Sequence, residues 1–115
     1  MLVARMNQNF NMKKNTHLDI VFTMENIEDL TSYCIVWGMF VRGCVEATIL
    51  KSSNNANEIT IDKNKFIVHL TPSDNKDLDT RRFIHEARIT SNHGITSVVA
   101  QGAVIVTYGF TDICE

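Results

Sequence analysis

The sequence predicts an all-β fold, a sandwich of about seven to nine short antiparallel strands with one helical turn. Three observations carry that expectation. The longest apolar run lies within Asp29–Arg42, is rich in aromatic and β-branched residues, and holds the only Trp. Short segments of period-two alternation recur along the chain, set apart by Asn, Ser, Asp and Gly clusters. No segment keeps a helical period long enough to make a packed helix.

The apolar run is the centre of the fold. From Tyr33 to Val41 the side chains suit a pleated surface. The run is about nine residues long, short for an amphipathic helix, and a helix-weakening Gly38 lies inside it. Alternation sets Tyr33, Ile35, Trp37, Met39 and Val41 on one face and Cys34, Val36, Gly38 and Phe40 on the other. A strand with one solvated face alternates with polar residues. Here both faces are apolar, so a cover is expected over Val36 and Phe40, either another segment of the chain or another subunit. Gly38 marks a bulge or close backbone approach, or simply leaves room for a bulky neighbour.

In chain order, residues 1–15 are rich in Asn and Met and read as an N-terminal arm with a short strand near Phe10 and Met12. Residues 16–115 form the sandwich domain. Thr16–Met24 is a strand with Leu18, Ile20, Phe22 and Met24 on one face. Cys44–Leu50 holds a strand with Val45, Ala47 and Ile49 on one side, followed by a loop over Lys51–Asn57. Glu58–Asp62 and Lys65–Thr71 are strands joined by a tight turn at Lys63-Asn64. Thr71-Pro72 followed by acidic residues signals one helical turn, with Pro at its first position. Arg82–Thr90 is a strand with Phe83, His85, Ala87 and Ile89 on one side, and Ser91–Gly94 is a hairpin turn. Ile95–Gln101 and Ala103–Thr107 are strand segments broken at Gly102.

Composition excludes several functions. A chain of 115 residues is one domain with a real core. The net charge is −2, and the basic tracts stop at Lys13-Lys14 and Arg81-Arg82. Nucleic-acid binding, which wants a clustered basic face, is not expected. No apolar run reaches the roughly 20 residues of a membrane span, so no membrane partner is expected. Residues 1–15 lack the apolar core of a secretory signal. Three cysteines, Cys34, Cys44 and Cys114, with no C-x-x-C spacing argue against a disulfide framework or zinc site. Free thiols suit a chain made in a reducing cytoplasm.

No catalytic or cofactor motif appears, and the expected reading is a non-enzyme with no metal and no cofactor. His17, His69, His85 and His93 have no partner at ligand spacing. His85 falls on an inward face, where a core-edge histidine with one satisfied nitrogen is expected; a catalytic role would need a facing carboxylate or Cys. Asp74–Asp79 lacks the central Gly and distal Glu of a calcium loop. No G-x-S-x-G, phosphate-binding loop or dinucleotide fingerprint occurs.

Three pieces in order carry a family resemblance. Asp29-Leu30-Thr31-Ser32-Tyr33, leading into the strand that ends at Arg42, is similar to the D-L-T-G-Y/A lead-in of short tailed-bacteriophage virion proteins. The N-terminal immunoglobulin-like domain of phage baseplate upper proteins has the same lead-in. Phe66–Asp74 resembles that family's strand running into a short helical turn. Arg82–Ala87, Gly94, Val98–Gln101, Gly102–Val106 and Thr111 resemble its aromatic strand, hairpin Gly and closing G-x-V-x-V … T strand. The match spans about residues 16–112 by order and spacing. The chain departs from the family at Ser32, where Gly is usual, and at His85 and Glu86, where Tyr and Asp are common. Val36 and Phe40 are apolar where polar or basic residues are usual.

The resemblance implies an immunoglobulin-like sandwich acting as a structural part of a virion, in tail, baseplate or fibre attachment. It implies other virion proteins as partners, a homo-oligomer, and location in the virion after synthesis in the host cytoplasm. Capsid decoration and a ligand- or glycan-binding module are the alternatives. The expected interface residues are Phe10, Met12, Val36 and Phe40. For a glycan site the plausible set is Tyr108 and Phe110 near Asp112.

Overall fold

The computed structural model describes residues 6–108. Its strands are β1 (Met6–Asn7), β2 (Phe10–Lys13), β3 (Leu18–Thr23), β4 (Cys34–Phe40) and β5 (Ile49–Ser52). They continue with β6 (Ile59–Asp62), β7 (Lys65–Leu70), β8 (Arg82–Thr90) and β9 (Thr96–Thr107). One short helix, α1 (Pro72–Asn75), lies between β7 and β8. The larger sheet has the order β1-β9-β8-β4-β5, with β2 also on β9; the smaller is β3-β7-β6. β1 and β2 run parallel to β9, and every other pair is antiparallel.

This is an immunoglobulin-like sandwich. The immunoglobulin order sets strands B, E and D in one sheet and G, F, C and C′ in the other. Here β3-β7-β6 form the first and β9-β8-β4-β5 the second. The core fills the space between them by alternation. Ile35, Trp37 and Met39 of β4 and Phe83, Ala87 and Ile89 of β8 face Phe22, Phe66 and Val68 of the smaller sheet, all buried. Phe22 stacks on Phe66 with ring centroids 4.8 Å apart. Trp37 occupies the strand-C position that is a buried Trp in antibody domains. Where those domains place a disulfide beside it, this chain has Phe22, Phe66 and His85.

Three sequence expectations change. Residues 6–13, expected within an arm, form the outer strand segments of the larger sheet. The short strand expected near Phe10 and Met12 is there, and it docks on β9 because apolar Phe10 and Met12 alternate with Asn11 and Lys13. The strand expected over Cys44–Leu50 begins only at Ile49. Val45 and Ala47 sit in the exposed β4–β5 connection, which turns at Gly43 (φ 89°). Gly102 does not break β9, which runs unbroken from Thr96 to Thr107. The missing side chain there serves a crossing of backbones: a Cβ at Gly102 would collide with the Gln8 carbonyl and lie 2.9 Å from Asn9 Oδ1.

Candidate functional site

The outer face of the larger sheet is the candidate site. Strand pairing fixes which residues share it. On β4 they are Cys34, Val36, Gly38 and Phe40, which stand beside Thr90, Arg88, Glu86 and Ile84 of β8. On β5 Leu50 stands beside Gly38 and Ser52 beside Val36. On β9 Gln101, Ala103 and Ile105 continue the face. Val36 and Phe40 are mostly covered by their own chain but remain partly exposed, and Leu50 is 63% exposed. A groove of about 410 Å³ runs over Val36, Gly38, Phe40 and Leu50, walled by Ala47, Glu86 and Arg88. Val45 stands fully exposed on the adjoining connection.

At the middle of this apolar face sits one pair of opposite charges. Arg88 Nε donates to Glu86 Oε2, two residues apart on the same side of β8. The arginine side chain is 58% exposed and the glutamate 24%. An exposed pair of this kind contributes little to folding, typically under about 1 kcal/mol. The face mixes apolar residues with this pair, the exposed Arg82 level with Ile105, and the polar Thr90, Ser52 and Gln101. Cys34 adds an exposed free thiol to the same face.

The four expected interface residues divide. Val36 and Phe40 lie on this open face. Phe10 and Met12 do not: their register partners Val104 and Val106 point inward, so both side chains enter the sandwich. Met12 is buried, and Phe10 packs edge-on to His85 with centroids 5.1 Å apart. Both side chains make their contacts within the chain, Met12 buried and Phe10 partly so. Cys34 and Cys44 are free and exposed, as expected from their spacing; Cys114 lies outside the described residues.

His85 is completely buried, and both its ring nitrogens have partners. Trp37 Nε1–H donates to Nδ1 at 3.1 Å, which puts the ring proton on Nε2, facing the Gln8 carbonyl oxygen. Burial pushes its pKa below the ordinary histidine value, against the upward pull of the Gln8 bond. The ring is neutral, held between Trp37 and the Gln8 carbonyl and packed against Phe10 and Phe22. Among the described residues no group of three or more His, Cys, Asp or Glu could hold a metal ion, and no helix is long and apolar enough to cross a membrane.

A second concavity, about 510 Å³, opens at one end of the sandwich between the β3–β4 and β8–β9 connections. Ile27, Tyr33 and Ile95 line it together with Asn26, Glu28 and His93. Asp29 beside it accepts from Thr31 Oγ1 at 2.6 Å and Thr31 N at 3.0 Å, and these bonds hold its carboxyl below the usual range. Sequence reasoning pointed instead to Tyr108, Phe110 and Asp112. Tyr108 is exposed with Lys14 Nζ 5.0 Å from its ring centroid, and the other two lie outside the described residues.

Sequence reasoning also missed Leu50, Glu86 and Arg88 as members of the outer face. Leu50 was placed at the end of a strand that begins one residue before it. Glu86 and Arg88 were legible by alternation, since both lie opposite in phase to the inward Phe83, His85 and Ala87. Comparison with known protein families finds no matching family model, and comparison with curated proteins finds none that matches.

Proposed function

We propose that this chain is a non-enzymatic structural protein of a tailed-phage virion, assembling with other virion proteins and with copies of itself in tail, baseplate or fibre-attachment structures. The resemblance of the Asp29–Tyr33 lead-in and the closing strand to phage virion domains supports the phage setting. The observation that carries the assembly reading is the outer face of the larger sheet. Leu50 lies there exposed, and Val36 and Phe40 partly exposed, around a groove. Contiguous apolar relief of this kind marks association surfaces. A capsid decoration protein would use the same face on a different symmetric body.

The test is proteomic. Particles purified from a lysate of the encoding phage are digested and analysed by mass spectrometry, and the chain is expected at fixed stoichiometry to the major tail or head proteins. Its presence in infected cells but absence from washed particles would refute the reading. A second reading, a saccharide-binding module, draws on the end cleft, where the Tyr33 ring stands beside Asn26 and Glu28. Aromatic and carboxylate groups around a concavity suit sugar recognition. Binding on a glycan array, lost in Tyr33→Ala, is its expected result; silence of the wild-type chain across the array counts against it.

A further inference from the structure

We infer that the outer face of the larger sheet pairs with the same face of a second copy, about a two-fold axis that lies in the interface and crosses β8 between Glu86 and Arg88. This rests on the assembly reading and deepens it by naming the partner and the geometry.

The charges select the axis. Glu86 and Arg88 are consecutive outward residues of β8, flanked by Gly38 and Val36 on one side and by Gln101 and Val98 on the other. An isologous contact places a surface on its own copy. An axis running along β8 would set Glu86 on Glu86 and Arg88 on Arg88, and like charges in contact repel. An axis across the strands, midway between the two residues, sets each Glu86 against the Arg88 of the second copy. Each Glu86–Arg88 pair, already bonded within its own copy, then faces the opposite charges of the second.

The same axis matches large residues to small ones. On β4, Val36 is level with Arg88 and Gly38 with Glu86, so Val36 of one copy meets Gly38 of the other. Phe40, level with Ile84, meets Cys34, level with Thr90. Gly38 fits this account, because the fold itself does not demand a glycine there. A Cβ at Gly38 would meet Leu50 Cδ1 at 3.5 Å, the Ile49 carbonyl oxygen at 3.7 Å and Ala47 Cβ at 3.8 Å, all ordinary contacts. The space it leaves is the floor of the groove over the sheet.

The area suffices. About seven facing residues on each of β4, β8 and β9 and four on β5, rising 3.3 Å per residue on strands about 4.8 Å apart, give a footprint of roughly 400 Å² per copy. Side-chain relief brings the total buried by two copies to about 1,000 Å², the size at which specific interfaces begin.

The test uses complementary variants. Glu86→Arg makes the centre of the face wholly positive, and Arg88→Glu makes it wholly negative. Light scattering on the wild-type chain is expected to give twice the chain mass of 13.0 kDa. Each variant alone is expected to dissociate at least tenfold more readily, and an equimolar mixture to recover the dimer. Gly38→Val provides an independent readout, expected to keep the wild-type circular dichroism spectrum and to weaken the dimer at least tenfold. A wild-type monomer, variants that remain dimeric, a mixture that stays monomeric, or an unaffected Gly38→Val dimer would each overturn the inference. None of these results bears on whether the chain is found in particles, so the virion reading fails or stands on its own test.

Discussion

At the scale of single residues, the most demanding site is where the backbone at Gln8-Asn9 crosses Gly102. Gln8 N donates to the Gln101 carbonyl at 2.9 Å, and the Ala103 N–H donates to Asn9 Oδ1 at 2.8 Å. Gly102→Ala pushes a methyl into the Gln8 carbonyl, and the carbonyl is the acceptor for His85. The expected cost is about 2–4 kcal/mol in urea unfolding, the range of overpacking combined with a broken buried polar contact. His85 itself gives stability a pH dependence whose sign is fixed. Its folded pKa is depressed, chiefly by burial. The unfolded chain, titrating at about 6.5, therefore takes the proton first. The contribution is complete above that pH and is lost as pH falls through it toward the depressed folded value. The melting temperature of the wild-type chain is expected to fall between pH 7 and pH 5 more steeply than that of His85→Gln. Parallel curves would show that His85 is not the titrating group.

At the scale of elements, α1 works as a clamp. Asp74 accepts from Thr71 N at 2.8 Å and from Thr71 Oγ1 at 3.1 Å, and forms an ion pair with Lys51 Nζ at 2.8 Å. Burial raises the Asp74 pKa, but its bonds to Lys51 and Thr71 outweigh that and hold the carboxyl below the usual range. Lys51 stands beside Trp37 on the edge strand β5, so this edge carries an inward-turned charge, a feature that discourages edge-to-edge aggregation. The next residue, Asn75, is fully buried. Its Oδ1 accepts from Asn15 N at 2.7 Å and Thr16 N at 3.3 Å, and its Nδ2 donates to Thr16 O at 2.9 Å. It fixes the turn from β2 into β3, where Asn15 takes a left-handed conformation (φ 61°) that asparagine tolerates. Asn75→Ala leaves these part-buried backbone groups without their partner and is expected to cost about 1–3 kcal/mol in chemical denaturation. A cost under about 0.5 kcal/mol, typical of a surface change, would remove α1 from the list of structural anchors.

These elements separate what the sequence reveals from what it hides. The alternation in Cys34–Phe40 and Arg82–Thr90 gave the strands, their inward faces and the place of Trp37, because one buried face imposes period two locally. Thr71-Pro72 gave the helical turn through the fixed φ of proline. The partner of β2 was hidden, because Phe10 pairs with Val104 across almost the whole chain and pairing leaves no local mark. Asn75 was hidden for the opposite reason: a polar residue after a proline turn reads as solvent-facing, and only tertiary contact buries it. Val45 and Ala47 misled because two apolar residues at strand spacing also fit an exposed connection. On the outer face, Val36 and Phe40 were legible as apolar residues out of phase with the core, and the charges beside them emerge only when β8 is laid next to β4.

At the scale of the whole molecule, the N-terminal segment decides whether the sandwich is complete without it. Two descriptions make different predictions. If residues 1–15 were an arm that orders on assembly, removing residues 1–13 would leave the fold intact and abolish only association. The geometry favours the other description. β2 covers the inner flank of β9 with Met12 and Phe10, and Gln8 supplies the acceptor for a histidine at the centre of the core. Without the segment, Val104 and Val106 lose a neighbour, His85 Nε2 loses its buried partner, and the β9 edge lies open. Burial of one large apolar side chain contributes about 1.5–3 kcal/mol, and an unsatisfied buried group costs about 1–3 kcal/mol. Those losses sum to about 4 kcal/mol or more, a large fraction of the 5–15 kcal/mol typical of a domain. At about 4 °C or more per kcal/mol, deletion of residues 1–13 is expected to lower the melting temperature by about 15 °C or to prevent folding. Thermal melts followed by tryptophan fluorescence read this directly, since Trp37 shares the His85 bond network. A deletion that melts within a few degrees of the full chain would restore the arm description. A large loss would mean that the face left for partners is the outer one, because the N-terminal segment is already committed to the core.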